Sequence, residues 1–246
     1  MARHSWTNPV LPLLVTAVLL AVIGWAGLRA DAAWHYRAAR NLTGAMVLTG
    51  GASQAGVDAA NTRVGKAMRW FPRHPDYLEL AGNLQELQAD LPGMVGKAHS
   101  ETLDSAADYY RQALAVRPLW PHGWANLLAV KSKLVEVDDE FALAMKRSVE
   151  TGPWTPRVQI QVADSGLRHW EQLDKPGREL VQVAIDHALV VQPRAIFSVI
   201  RSYGRPDLVC DKSGDFARIK RWCDEVLPRL SGFSPVRSAP GLPEKS

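Results

Sequence analysis

Four segments of the chain share a pattern in which a small residue stands five positions before a proline. The prolines are Pro72, Pro118, Pro153 and Pro193, so the intervals between them are 46, 35 and 40 residues. A small residue lets a neighbouring helix approach closely. Proline cannot continue a helix, but it suits the first turn of the next one because it lacks an N–H. Repetition at this period is typical of stacked helical hairpins, so the pattern predicts an all-α chain.

The N-terminal segment 9–28 contains no charged residue and consists mainly of Leu, Val, Ile and Ala. Twenty helical residues are about 30 Å long, which matches the hydrocarbon core of a bilayer. Trp6, Trp25 and Trp34 stand near its ends, where aromatic side chains favour the membrane interface. We therefore expect residues 1–28 to form a cytoplasmic stub and a single transmembrane anchor, with lipid contact through residues 9–28.

A cleaved signal peptide is the alternative interpretation of this segment, because Ala30-Asp31-Ala32 has small residues at the spacing of a cleavage site. The apolar part of such signals is roughly 7–15 residues long, and the longer segment here favours an uncleaved anchor. The charged residues do not decide the orientation. Arg3 precedes the segment and Arg29, Arg37 and Arg40 follow it, but large domains cross membranes largely regardless of charge.

Two cysteines, Cys210 and Cys223, lie near the C-terminus. A disulfide between them would attach the last predicted helix to the array and contribute about 3 kcal/mol. Disulfides persist in the periplasm and outside cells, and rarely in the cytosol. Two free thiols packed as small apolar groups are the alternative. The disulfide interpretation favours an N-terminus in the cytoplasm and a large domain in the periplasm.

Motifs of catalysis are not evident in the sequence. The seven histidines are scattered without metal-ligand spacing, and two thiols without a neighbouring histidine do not predict a zinc site. Asp138 and Asp139 could in principle act on a sugar, but acids at a helix start usually stabilise the helix dipole. The net charge of +4 comes without a dense basic and aromatic run. We expect no catalytic residue, metal, cofactor or nucleic-acid partner.

Residues of about 50–203 resemble the tetratricopeptide repeat (TPR) family, whose unit is two antiparallel helices in about 34 residues. Trp124 and Leu127 match the first helix of a unit. The preceding second helix is matched by Ala106, Tyr110, Ala113 and Pro118. Helices are expected over 53–70, 121–136, 138–150, 156–171, 194–203 and 214–229. The long first interval predicts an insertion, which we expect as a loop over Leu91 to Ser100.

The TPR resemblance implies a right-handed α-solenoid with a C-terminal capping helix. We expect four regions: the stub and anchor at 1–28, a TPR-like repeat domain at 29–203, a capping helix with the cysteine pair at 204–230, and a disordered tail at 231–246. The three prolines in the tail and its few large apolar residues are typical of disorder.

The same resemblance implies a groove lined by the first helix of each unit. Family spacing from the four prolines places nine polar residues there: Asn83, His122, Asn126, Lys133, Arg157, Gln161, Asp164, Arg168 and Arg201. This somewhat basic set suits a peptide carboxylate or an acidic glycan, through charge-assisted hydrogen bonds. The alternative for each is an ordinary solvated side chain. Asn126 is the strongest candidate because it lies beside Trp124 and Leu127.

A narrower resemblance involves the anchor, the short array, the segment from Arg194 to Gly204 and the C-terminal cysteine pair, which together are similar to the VpsP-type family of bacterial exopolysaccharide biosynthesis. It implies a non-enzymatic scaffold in the inner membrane that faces the periplasm. Its expected partners are proteins of a polysaccharide synthesis or export complex, or an acidic glycan of the biofilm matrix. The alternatives are a TPR adaptor of another envelope assembly, such as secretion or cytochrome biogenesis, and a glycan-acting enzyme.

Overall fold

The computed structural model describes residues 10–210 and 217–230, without the side chains of residues 217, 218 and 226–230. Every regular element in these ranges is helical, which confirms the all-α prediction. The α-helices are α1 (Val10–Thr49), α2 (Gln54–Trp70), α3 (Pro75–Ala89), α4 (Gly96–Val116), α5 (Pro121–Leu134), α6 (Asp139–Thr151), α7 (Pro156–Arg168), α8 (Lys175–Val191), α9 (Pro193–Ser202), α10 (Asp207–Cys210) and α11 (Ala217–Leu230). The predicted stub before residue 9, Pro9 of the predicted anchor and the predicted tail at 231–246 lie outside the described residues.

The chain divides into two compact units, Met1–Thr102 and Leu103–Ser246, and the division falls within α4. The predicted boundary at residue 28 falls inside α1, which is continuous over its 40 residues. The predicted segment boundaries otherwise stay predictions.

In the first unit, the N-terminal part of α1 is exposed along its whole apolar stretch, and the helix is long and apolar enough to cross a membrane. The C-terminal part packs on α2, where α1 buries Ala32, Ala39 and Met46. Ser53 caps α2 by accepting a hydrogen bond from the Gly56 N–H at 3.2 Å. α3 packs on α2, and its Tyr77 ring lies 5.1 Å from that of Tyr36 on α1.

The predicted loop over Leu91 to Ser100 is shorter in the structure, because α4 begins at Gly96. Lys97 to Ser100 therefore form the first turns of a 21-residue helix rather than a loop. Lys97 pairs with Glu101 four residues later, at 3.3 Å, which is an interaction that helical spacing permits. Half of the predicted loop, from Gly96 to Ser100, therefore lengthens α4 at its N-terminal end.

Successive helices of the second unit pack on each other and are joined by short turns, so they form antiparallel pairs. α5 pairs with α6 and α7 with α8; α5, α7 and α9 also lie side by side, with α6 against α8. The small residues of the repeated pattern, Ala113, Ser148 and Ala188, are buried, as their role in close packing requires. Pro118 and Pro153 lie in the turns, and a second proline three residues later begins each following helix. Pro193 itself begins α9.

The C-terminal end of the second unit is held by α11. Its Trp222 stacks on Phe197 of α9 at 4.4 Å between ring centroids. A disulfide joins Cys210 of α10 to Cys223 of α11, with the Cα atoms 5.8 Å apart. Covalent and aromatic contacts therefore attach α11 to the helices before it.

Candidate functional site

The predicted groove residues occupy both units. Asn83 lies half-buried on α3 in the first unit. The other eight lie on α5, α7 and α9 of the second unit, and we call the polar side chains of these three helices the front face. Because α5, α7 and α9 lie side by side, the second unit presents them as one surface.

The α4–α5 turn adjoins the front face where α5 and α7 begin. We call this region the basic end and define it as Arg117 and Trp120 of the turn, His122 of α5 and Arg157 of α7. The Arg117 guanidinium carbon is 4.2 Å from the Trp120 ring centroid, and the Trp120 and His122 rings are 5.3 Å apart. Burial, together with the charges of Arg157 and Arg117, lowers the pKa of His122. His122 is therefore neutral at neutral pH, and the two arginines supply the positive charge.

The close approach of the α6–α7 turn to the start of α5 positions this basic end. A Cβ on Gly152 would lie 2.6 Å from the Pro121 Cβ, so only glycine permits this contact. Gln159 of α7 donates a hydrogen bond to the Gly152 carbonyl at 2.6 Å, and Trp124 Nε1 donates to the Pro118 carbonyl at 2.8 Å. Both turns are thereby tied to the helices that follow them. The N-termini of α5 and α7 lie together, and the contact of His169, just after α7, with Ser132 in the last turn of α5 joins their other ends, so the two helices are parallel.

The helix ends themselves add positive potential there. Neither α5 nor α7 has an acidic residue in its first turn, and neither has a side-chain cap. The first N–H groups of an α-helix carry partial positive charge and favour anions. The basic end thus combines two guanidinium groups, two helix N-termini and an aromatic ring, a combination that suits a carboxylate attached to a ring or chain.

The opposite end of the front face is of mixed charge. Tyr203, just after α9, donates its hydroxyl hydrogen to Asp164 Oδ1 at 3.0 Å, and Arg168 Nη2 lies 3.9 Å from Asp164 Oδ2. Burial and the Asp164 charge raise the pKa of Tyr203. Arg168 and Arg201 are exposed. Tyr203 is the last residue of the helix predicted over 194–203, and its role in this cluster followed only from the fold.

The middle of the front face is less accessible. Asn126, the strongest candidate by sequence, is only 9% exposed. Gln161 on α7 and Lys133 in the last turn of α5 are half-buried. A ligand would therefore contact the basic end more extensively than the middle.

A buried cation that sequence reasoning missed lies at the α5–α6 turn. Lys131 is 2% exposed, and its ammonium group contacts Glu136 at 2.8 Å, Asp138 at 2.9 Å and Glu140 at 3.1 Å. Burial lowers the pKa of Lys131, but the hydrogen bonds to the three carboxylates raise it by more than burial lowers it. The pKa of Lys131 is therefore raised. Arg111 of α4 binds both oxygens of Glu140. The three carboxylates neutralise the buried ammonium group of Lys131, and we assign the cluster to stability.

The described part of the chain contains no group of three or more His, Cys, Asp or Glu that could hold a metal ion. A cavity of about 390 Å³ lies between α6 and α8, on helices other than those of the front face, and it is lined by residues that include Phe141, Met145, Leu173 and Leu180. His169 is buried, with Nε2 3.0 Å from the Ser132 carbonyl, and it packs edge-on against Phe141. It is a packing residue.

Comparison with known proteins does not assign the chain to a family. No protein-family model matches it, and no curated protein matches it in sequence.

Proposed function

We propose that the chain is a non-enzymatic, membrane-anchored scaffold whose basic end binds carboxylate groups of an acidic glycan or of a partner protein. The observation that carries this proposal is the convergence of Arg117, Trp120 and Arg157 at the paired N-termini of α5 and α7. Guanidinium groups bind carboxylates through charge-assisted hydrogen bonds, and an indole ring supplies a flat apolar surface for a sugar or a side chain.

The architecture proposed for the second unit is a TPR-like solenoid. The supporting observations are the antiparallel pairing within α5–α6 and α7–α8 and the parallel neighbours α5 and α7. With few pairs and the capping contribution of α11, such an array offers an interaction surface rather than an enclosed reaction site.

The proposed location is the bacterial inner membrane, with the large domain in the periplasm, and the proposed process is exopolysaccharide synthesis or export. The apolar helix α1 supports anchoring. The disulfide between Cys210 and Cys223 supports an oxidising compartment. The process rests on the resemblance to the VpsP-type family and on the carboxylate chemistry of the basic end.

Binding of the detergent-solubilised full chain to polygalacturonate, a polymer of carboxylated sugars, would test the basic end. Neutral dextran serves as the comparison ligand. We expect Arg157→Glu to weaken polygalacturonate binding about tenfold or more, because a charge-assisted contact is replaced by repulsion. Lys175→Glu, at an 88% exposed position on α8, makes the same charge change away from the front face and should bind like the wild type.

Co-purification from solubilised membranes would identify a protein partner. Loss of the same captured proteins in Arg157→Glu and not in Lys175→Glu would support a scaffold that uses the basic end. Equal capture by both variants, together with equal polygalacturonate binding, would exclude the basic end as the binding site. Capture of secretion or cytochrome-assembly proteins would instead indicate another envelope assembly.

A further inference from the structure

The turn between α2 and α3 lies against α1 at the point where the apolar segment ends. The Arg29 guanidinium carbon is 4.6 Å from the Phe71 ring centroid and 4.8 Å from that of Trp25. Arg29 is the first charged residue after the apolar segment. The cation–π contacts therefore join the end of that segment to a turn that is about forty residues away in sequence.

The position of this turn relative to a bilayer follows from helix geometry. The apolar part of α1, from Val10 to Leu28, would be about 28 Å long, close to the thickness of the hydrocarbon core. Arg29 would then lie at the level of the lipid headgroups, and Phe71 would lie at the same level because it contacts Arg29. α1 is helical without interruption to Thr49, so no flexible spacer separates the anchor from this turn.

The residues of the turn are those that a headgroup region attracts. Arg69, Pro72 and Arg73 are exposed, and Trp70 is 46% exposed. Tryptophan favours the membrane interface, and guanidinium groups bind phosphate oxygens. Segment 69–73 contains no acidic residue; the next acid along the chain, Asp76, is half-buried on α3. The exposed part of the turn is therefore cationic and aromatic.

We propose that residues 69–73 form a second membrane contact, in which Trp70 enters the interface and Arg69 and Arg73 bind the phosphates of anionic phospholipids. The inference rests on the anchoring part of the proposed function. Two contacts, one through α1 and one through the turn, fix the rotation of the first unit about the axis of α1. A single helix alone would leave this rotation free.

Fluorescence quenching in vesicles would test the contact. The full chain carrying Pro72→Cys is labelled with an environment-sensitive dye, without reductant so that the native disulfide stays intact. It is then reconstituted into vesicles of phosphatidylcholine and phosphatidylglycerol in equal amounts, which carry a nitroxide either near the top or near the end of the acyl chain. Ala59→Cys, exposed on α2 nearer its N-terminal end, is the matched control, and Leu19→Cys reports on the anchor.

We expect quenching at position 72 by the shallow nitroxide, quenching at position 19 by the deep nitroxide, and little quenching at position 59 by either. The double variant Arg69→Glu/Arg73→Glu should lower the ratio of docked to undocked turn about tenfold or more, whereas Lys97→Glu should leave it unchanged. Quenching at 19 without quenching at 72 would overturn the inference and leave the anchor intact. Absence of quenching at both positions would overturn the inference together with the anchoring. Equal quenching in the arginine variant would overturn the assignment of Arg69 and Arg73.

Discussion

Lys131 illustrates how one buried charge holds a turn together. Its ammonium group joins Glu136, Asp138 and Glu140, which follow it around the α5–α6 turn. We expect Lys131→Met to fill a similar volume but to lose these contacts, at a cost of about 2 kcal/mol. The three carboxylates stay partly exposed, so water can solvate them in the variant. Thermal unfolding of the full chain in detergent should show the melting temperature of the second unit falling by about 5 °C.

Lys146→Met is the matched control, because Lys146 is exposed on α6 and makes only a 3.8 Å contact with Glu150. Exposed pairs of this kind contribute little, so its melting temperature should stay within a degree or two of the wild type. A Lys131→Met variant as stable as Lys146→Met would show that the buried cluster contributes no net stability.

His169 makes the stability of the second unit depend on pH. Burial chiefly lowers its pKa, with a smaller effect of Arg168 in the same direction and an opposing hydrogen bond with the Ser132 carbonyl. The pKa of this histidine in the unfolded chain is about 6.5. At pH values between the folded and the unfolded pKa, the unfolded chain therefore binds more protons than the folded chain. The stabilisation is complete above about pH 6.5 and is lost as the pH falls from there through the folded pKa.

We expect the melting temperature to drop less on acidification in His169→Gln than in the wild type. Glutamine can still donate a hydrogen bond to Ser132 but does not titrate. His187→Gln should keep the wild-type drop if buried His169 is the responsible group. Parallel pH profiles for wild type and His169→Gln, from about pH 7.5 to 5.5, would assign the pH dependence to other groups such as His122, whose pKa is also lowered.

Residue roles could be inferred from the sequence where the cause is local. Asp138 was interpreted as a helix-start residue, and it caps α6 by accepting from the Phe141 N–H at 2.9 Å. Its second partner, Lys131, lies across a turn whose path depends on the left-handed backbone of Val135, with φ of 60°. The local sequence pattern does not specify the path of this turn. For the same reason the small exposure of Asn126 followed only from the packed structure.

At the level of elements, Gly166 sets the distance between α7 and α8. A Cβ at this position would overlap the Val181 side chain, which is itself fully buried. We expect Gly166→Ala to destabilise the second unit by about 1–3 kcal/mol through overpacking, although alanine favours a helix. Thermal unfolding of the full chain is the measurement. Gly65→Ala in α2, where a Cβ has no neighbour within 4 Å, should be neutral or stabilise the first unit by up to about 1 kcal/mol.

A second substitution can show whether the contact with Val181 causes the destabilisation expected for Gly166→Ala. Val181→Ala removes the methyl groups that a Cβ at position 166 would meet, so the double variant should be more stable than the sum of the two single effects predicts. Coupling between contacting residues is commonly about 0.5–3 kcal/mol. Additive effects would mean that the α7–α8 spacing does not depend on this contact.

The repeated pattern predicted the elements better than it predicted their connections. The expected helices at 53–70 and 138–150 agree with α2 and α6 to within one residue at each end. The insertion was misread because Leu91, Pro92 and Gly93 indicate a break, whereas Lys97 to Ser100 have no strong signal of their own. Their helical state comes from extension of α4, to which helix propagation adds one hydrogen bond per residue.

At the level of the whole molecule, the division into two compact units had no counterpart in the sequence. It falls between Thr102 and Leu103 inside α4, where the helix is unbroken and composition does not change. Sequence signals of domain boundaries are linkers rich in Pro, Gly or polar residues, and none stands there. The apolar segment, by contrast, is a property of composition alone and could be read directly. The helix that begins with this segment continues into the first unit, because α1 packs on α2 beyond residue 28.

The orientation of the chain across the membrane can be tested through its two cysteines. If the large domain faces the periplasm, Cys210 and Cys223 form their disulfide there. Intact cells treated with a membrane-impermeant maleimide should then show no labelling, and strong labelling after an impermeant reductant. The double variant Cys210→Ser/Cys223→Ser should stay unlabelled throughout. Thiols that react only after lysis, and without reductant, would place the domain in the cytoplasm.

The disulfide between Cys210 and Cys223 should make the stability of the second unit depend on reduction. A loop closed across a sequence separation of 13 stabilises by about 3 kcal/mol in the chain-entropy model. Reduction should therefore lower the melting temperature and release α11, which otherwise rests on Phe197 through Trp222. Increased proteolysis of α11 after reduction, with α5–α8 still protected, would show that the bond holds this helix specifically. If α11 is equally protected in the reduced chain, the Trp222 stacking alone is sufficient to hold it.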